Sequence, residues 1–230
     1  MFTHSLNGEK TINKEVAVPP PLASDYSGGI AGYVGVVASE FTYKKDEEVF
    51  GEDEPAEYVY EVLSGAVRTY KLLSDGRRQI SAFHLPGDVF GLEAGLSHRL
   101  AAEAIVDTTV RLVKRSSLEK AAGTDVRVAR KLWAITAREL THAEDHMLRL
   151  GRKSAMEKVA AFLLEMDRRL PATGLIGLPM CRRDIGDYLG LTLETVSRSL
   201  SQLQAKGILG LSGARQIALR NRQHLRNMDA

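Results

Sequence analysis

The feature that most constrains this chain is a change of hydrophobic period near residue 115. From about Glu40 to Lys114, short β-branched and aromatic runs alternate with turn signals, in "EYVYEVLSG", "AVRTYKLLSDG", "RQISAFHLPGD" and "TTVRLV". Strands at roughly ten-residue spacing predict a small antiparallel β-roll, and Ser74, Asp75 and Gly76 between two such runs predict a hairpin turn. The pattern then turns helical. Leu132, Thr136, Leu140, Ala143, Met147 and Leu150 follow one another at steps of four or three, which lays a mostly apolar seam along a helix of about six turns. Such a seam needs a partner, most simply its own copy in a parallel coiled coil, although packing against the roll would leave a similar stripe. Gly151 marks a hinge before a further helix, "SAMEKVAAFLLEMDRRL", which stops at Pro171. The fold class is therefore α+β.

At 230 residues the chain exceeds a common domain size of about 100 to 150, so two modest domains are expected. The divisions fall at 1–25, a polar arm ending in "VPPPLASD"; 26–118, the β-roll; 119–150, the dimerisation helix; and 151–230, a C-terminal unit. No run approaches the ~20 apolar residues of a membrane span, and "MFTHSLNGEK" lacks the apolar core of a secretory signal. One cysteine cannot form an internal disulfide, so a cytoplasmic location and no membrane partner are expected. Charge is unevenly placed. Residues 1–150 carry 18 Lys and Arg against 22 Asp and Glu, whereas residues 151–230 carry 13 against 7. A basic C-terminal unit fits either an anionic partner such as nucleic acid or an ordinary solvated face.

The last 50 residues hold the strongest pattern. "RDIGDYLGL" and "TLETVSRSLSQLQAKGIL" read as two helices joined by a turn at Gly190, with small Gly186 permitting a close crossing and Ile185, Leu189, Val196 and Leu200 filling the space between. "ILGLSGARQIALRN" adds a hairpin like a wing. Thr192 suits the N-cap of a helix that starts at Leu193, and Glu194 and Arg198 lie four apart on its first turns. Arg198 can donate two bonds to guanine O6 and N7, and Glu194 can accept from a cytosine amino group. A simple exposed ion pair would use the same spacing.

In their order and their residues these segments resemble the cyclic-AMP receptor and FNR (CRP/FNR) superfamily of bacterial transcription regulators. The strands with "LPGDVFGLEA", the seam helix and "RRDIGDYLGLTLETVSRSL" span about residues 40 to 220, and Glu194 to Arg198 spell "ETVSR". FixK-type regulators look closest, since the cysteine cluster of an iron-sulfur sensor is missing. The resemblance implies a winged helix-turn-helix, a homodimer, and activation through RNA polymerase. It also implies that Leu193, Glu194, Ser197 and Arg198 read a TTGA half-site in a palindrome of the type TTGAT-N4-ATCAA, with Arg182, Arg183 and Thr192 at the phosphates of double-stranded DNA. Ser199 departs from the family, which usually buries an apolar residue there.

The same resemblance raises a rival reading, a sensor gated by cyclic nucleotide or another small ligand. Nucleotide binders hold the ribose with a Gly-Glu pair and the phosphate with an Arg-Ser pair. Here Gly91 is followed by Leu92 and Arg99 by Leu100, and leucine can neither accept the ribose bond nor donate to phosphate. Glu93 is displaced by one position. No cofactor is expected. His142 and His146, with Glu139 and Glu144 nearby, do not match the H-E-x-x-H of zinc hydrolases and read as solvated or interhelical, while His84 and His98 stand apart, so no metal is expected either. No enzyme motif occurs. Cys181, beside Arg182 and Arg183 at a helix start, aligns with a position often held by Thr in the family. Free N–H groups and two guanidinium charges there favour phosphate and thiolate alike, which makes Cys181 either a redox-sensitive contact or an inert small residue.

Overall fold

The structure, a computed structural model, describes residues 30, 32, 38–170, 174–213 and 215–229. The expected arm at 1–25 lies outside the described residues. Eight strands build the roll: β1 (Ala38–Tyr43), β2 (Glu48–Phe50), β3 (Tyr58–Ser64), β4 (Val67–Leu72), β5 (Arg78–His84), β6 (Val89–Phe90), β7 (Ala101–Ala104) and β8 (Thr108–Lys114). They pair antiparallel in two four-stranded sheets, ordered β1-β8-β3-β6 and β2-β7-β4-β5. Their facing sides bury Phe50, Tyr60, Val62, Val67, Phe90, Ala102 and Val110 together. The β4–β5 turn closes through Leu73 N–H to Arg77 O at 2.8 Å and Gly76 N–H to Leu73 O at 2.9 Å.

The helical region is divided differently from the sequence reading. α1 (Arg115–Thr124) ends at Asp125, whose extended backbone stops one helix and whose carboxylate accepts from Arg127 N–H at 2.8 Å to start the next. α2 (Val126–Arg152) runs unbroken through Gly151, so the bend falls at Lys153 and Ser154 instead. There Ser154 N–H donates to Glu157 Oε2 at 2.7 Å and Ser154 Oγ accepts from Glu157 N–H, a capping box that starts α3 (Ala155–Arg169).

Along α2 the residues of the expected seam divide, with Thr136, Leu140, Ala143 and Met147 exposed and Leu132 and Leu150 half-buried. Leu132 turns inward against the cluster of Ile30, Val59, Val113, Leu118, Val128 and Ile135. Leu148 is 61% exposed, and beside it runs an open line of Val126, Trp133, Leu140 and Met147, 61%, 76%, 59% and 66% exposed. They stand seven apart, with Thr136 and Ala143 exposed beside them and Leu150 half-buried. Leu132 and Trp133 are adjacent in sequence, and only the roll packed on the opposite side of α2 decides which faces in.

The C-terminal unit contains β9 (Leu175–Gly177), α4 (Arg182–Leu189), α5 (Leu193–Ala205), β10 (Leu209–Leu211), β11 (Gln216–Leu219) and α6 (Arg222–Asp229). The β10–β11 hairpin is the wing, and β9 extends it to three strands in the order β10-β11-β9. α4 and α5 cross where a Cβ on Gly186 would stand 2.6 Å from Leu191 O, and Gly190 makes the turn with φ 63°. Ile185, Leu189, Val196 and Leu200 are all buried around that crossing.

Two predictions follow from the packing. Gly186→Ala forces the α4–α5 backbones apart and lowers stability by about 1 to 3 kcal/mol, read as a drop of several degrees in thermal melting. The second concerns three buried histidines. His84 stacks on Phe90 at 4.8 Å, His98 on Phe50 at 3.6 Å and His146 on Tyr188 at 4.0 Å. Burial lowers all three, His84 and His146 to about 4. Each is therefore neutral when folded but takes a proton near pH 6.5 when unfolded, so stability falls as pH drops from about 6.5 toward 4. His84 alone is worth on the order of 3 kcal/mol over that window. Glu139, whose carboxyl burial pushes up, returns part of the loss when it protonates. Denaturant midpoints measured between pH 7 and about 4.5 should decline, and a flat profile would contradict the buried neutral rings.

Candidate nucleic-acid interface

The recognition surface is built from the start of α5. Thr192 Oγ1 accepts from Thr195 N–H at 3.2 Å, which caps the helix and fixes the angle at which its first turn leaves the bend at Gly190. From that turn Glu194 and Arg198 project outward and are exposed, Leu193 is 39% exposed, and Ser197 is half-buried. Neither Glu194 nor Arg198 forms an ion pair or hydrogen bond with any described residue, so the simple surface pair is not made and both heads are free for an external partner. Ser199, on the opposite side of the helix, is buried at 5% exposure, so the hydroxyl stands where the family usually packs an apolar side chain.

The two arginines after Cys181 diverge. Arg183 is exposed, whereas Arg182 is half-buried and its Nη1 donates to Ser197 Oγ at 3.3 Å, bracing the recognition helix from α4. The helix start itself is not bare. Asp184 is buried, and its Oδ2 accepts from Cys181 N–H at 3.0 Å. Burial alone would raise Asp184, but its bonding to Cys181 and the charges of Arg68 and Arg78 outweigh it and hold the carboxyl below its ordinary range. The sequence reading counted two positive neighbours for Cys181 and missed the negative one three residues on, although the spacing from Cys181 to an acidic third residue is itself a helix-start signature.

The two histidines of α2 both turn inward, in keeping with an interhelical role. His142 Nε2 lies 3.0 Å from Glu165 Oε1 and 3.3 Å from the Tyr188 hydroxyl, while His146 lies flat on the Tyr188 ring. Glu165 is buried and also accepts from Arg149 and, at 2.8 Å, from Arg169. Burial opposes its charge, yet the bonds from His142 and Arg149 win and hold it well below the carboxylate range. Among the described residues, no three His, Cys, Asp or Glu side chains gather as a metal set.

In the roll, Gly91, Leu92, Glu93, Arg99 and Leu100 line a cavity of about 770 Å³ together with Thr69, His84, Thr136 and Glu139. Glu93 does not supply the missing ribose acceptor. Its carboxylate accepts from the Arg99 N–H at 3.3 Å and pairs with the Arg99 guanidinium at 3.4 Å, so the loop satisfies itself. With leucine in both places where polar recognition is needed, these residues do not fit a cyclic nucleotide.

Comparison with known proteins places this geometry. The Crp-like helix-turn-helix domain family matches residues 157–228, and the cyclic nucleotide-binding domain family matches residues 40–125. The nitrogen fixation regulation protein FixK of Azorhizobium caulinodans is 45% identical over 214 residues, covering 91% of this chain and 86% of that protein. The transcriptional activatory protein AadR of Rhodopseudomonas palustris is 41% identical over 177 residues, covering 75% and 74%. The structure of FixK2 from Bradyrhizobium japonicum superposes with a TM-score of 0.82 at 80% identity, covering 84% of this chain and 98% of that one. Among the described residues no helix is long and apolar enough to cross a membrane. With a roll, a long helix and a winged helix-turn-helix in the same order as these relatives, the chain belongs to the FixK-type branch of the CRP/FNR superfamily and is a DNA-binding transcription regulator, not an enzyme.

Proposed function

We propose that this regulator is an activator that binds a palindrome of the type TTGAT-N4-ATCAA as a homodimer, without cyclic nucleotide, in the cytoplasm. The observation that carries the reading is the open, unpaired set of Leu193, Glu194 and Arg198 on a capped recognition helix. Arg198 matches guanine, Glu194 the cytosine amino group, and Leu193 the thymine methyls of a TTGA half-site, while Ser197 is steadied by Arg182 at the edge of the set. Arg183 and Thr192, exposed on the same side, serve the phosphates, with Arg182 beside them. A coiled coil through Val126, Trp133, Leu140 and Met147 would set two such helices about one DNA turn apart, as a palindrome requires. The activator role is supported by the name of the AadR relative, a transcriptional activatory protein, and RNA polymerase is the partner that the family resemblance implies. The leucines at positions 92 and 100 favour ligand-free binding over the gated-sensor alternative.

Arg198→Ala should remove specific binding, leaving only weak salt-sensitive association with any duplex, and fluorescence anisotropy on the palindrome and on a scrambled duplex measures both. Full affinity of that variant would end the assignment, as would a requirement for cyclic AMP in the wild type.

Oxidation of Cys181 supplies a control point in the same reading. A first peroxide converts the thiol to a sulfenic acid with release of water, a second gives the sulfinic acid and another water, and the sulfinate left once its proton is lost would face the approaching phosphates and the Asp184 carboxylate at once. Like charges at about 4 Å and an effective dielectric near 20 cost about 4 kcal/mol, roughly a thousandfold in affinity before salt screening. Peroxide should therefore weaken DNA binding by the wild type and spare Cys181→Ser, and equal losses in both proteins would remove Cys181 from the scheme.

A further inference from the structure

We propose that the roll itself fastens the DNA-binding unit in its reading orientation, through contacts within one chain that take the place of a ligand. The proposal rests on the ligand-free reading above, and three sets of contacts carry it. The first is a shared apolar core. Ile80, Phe83 and Leu85 of the roll belong to the same buried cluster as Phe162, Leu163 and Tyr188 of the C-terminal unit, with the Phe83 ring 5.1 Å from Tyr188 and 6.3 Å from Phe162.

The second set is ionic and directed at α4. Arg68, buried on β4, holds Glu103 of its own sheet at 2.5 Å and reaches Asp184 of α4 at 3.1 Å. Arg78 on β5 donates to Asp184 at 2.7 Å and, from two nitrogens, to Asp187 at 2.9 and 3.0 Å. The third set holds α3, where Arg169 donates to Phe83 O at 2.5 Å and to Asp88 at 2.7 Å.

A C-terminal unit that swung away about Lys153 and Ser154 would uncover Phe83 and leave Arg68 and Asp184 without each other. Undocking would open the apolar cluster to water and trade directed ion pairs for hydrated charges, so buried apolar area supplies the free energy, the charges supply the geometry, and the docked orientation is selected without help from the cavity in the roll. Docking also fixes the reading end. The β4–β5 turn at Leu73, Gly76 and Arg77 and the α5 start at Thr192, Leu193 and Glu194 line one groove, so the recognition helix keeps a set offset from the roll. Arg68, Arg78, Asp184 and Asp187 are thus positioning residues for DNA binding.

The test uses the full-length protein and the variants Arg78→Ala, Asp187→Ala and the double variant Arg78→Ala with Asp187→Ala. Two quantities are measured without nucleotide: affinity for the palindrome, and the rate of tryptic cleavage at Arg152 and Lys153. Each single variant should bind about tenfold more weakly, as expected if the competent orientation falls to roughly a tenth of the population, and should be cut faster. Loss of the Asp187 charge would by itself favour DNA, so weaker binding reports the lost brace. The double variant should lose little more than Arg78→Ala alone in both quantities, because the two residues act through one contact, whereas unrelated folding defects would add. Unchanged affinity and cleavage in the single variants, or additive losses in the double variant, would overturn the proposal. If the wild type needed cyclic nucleotide to bind DNA, the functional reading would fail on its own. The fastening would then stand or fall by whether the wild-type hinge is already protected before nucleotide is added.

Discussion

Phe83 shares the outer face of β4 and β5 with Arg68 and lands against the rings of Phe162 and Tyr188, and the placement of the groups downstream depends on that contact. Tyr188 sits on α4, carries His146 on its other face and has its hydroxyl 3.3 Å from His142 Nε2, so a single ring ties α2 and the first helix of the DNA-binding motif to the roll. Glu165 then gathers His142, Arg149 and Arg169 around a buried carboxylate, which joins α3 to the same point. Apolar burial of this kind contributes about 1.5 to 3 kcal/mol per large side chain and has no direction of its own. The charged groups at its rim supply the direction, because each has only one geometry in which its partners are met.

The roll has the shape of a cyclic nucleotide-binding domain with leucine at two of the positions where nucleotide binders are polar. Its cavity persists at about 770 Å³, yet Leu92 and Leu100 occupy the polar positions and Glu93 is held by Arg99. The outer side of β4 and β5 carries Arg68 and Arg78, which bind outward to α4. These charged side chains thus face the neighbouring unit.

Local pattern made much of this readable. The alternation of the strands, the Ser74 to Gly76 turn, the Thr192 cap, the α4–α5 crossing at Gly186 and the exposed faces of Glu194 and Arg198 each depend on residues close together in sequence. What escaped depends on distant partners. Leu132 and Trp133 compete for one seam, and only the cluster around Val113, Leu118 and Val128 settles which is buried. Arg68 and Asp184 are 116 residues apart and carry no periodic signal, so neither could be singled out from the chain alone. The break at Asp125 and the capping box at Ser154 and Glu157 were local and available, but the continuous helical spacing around them concealed the first and the glycine at 151 drew attention from the second.

Trp133, the only tryptophan in the chain, is three-quarters exposed in the middle of the open line on α2. An indole in water and an indole between two helices emit at different wavelengths, and the other aromatic side chains of this protein are tyrosines and phenylalanines that contribute little at the red end. The long helix therefore carries its own optical label, placed where a second copy would cover it, and the state of assembly can be followed in the unmodified protein by the colour of one residue.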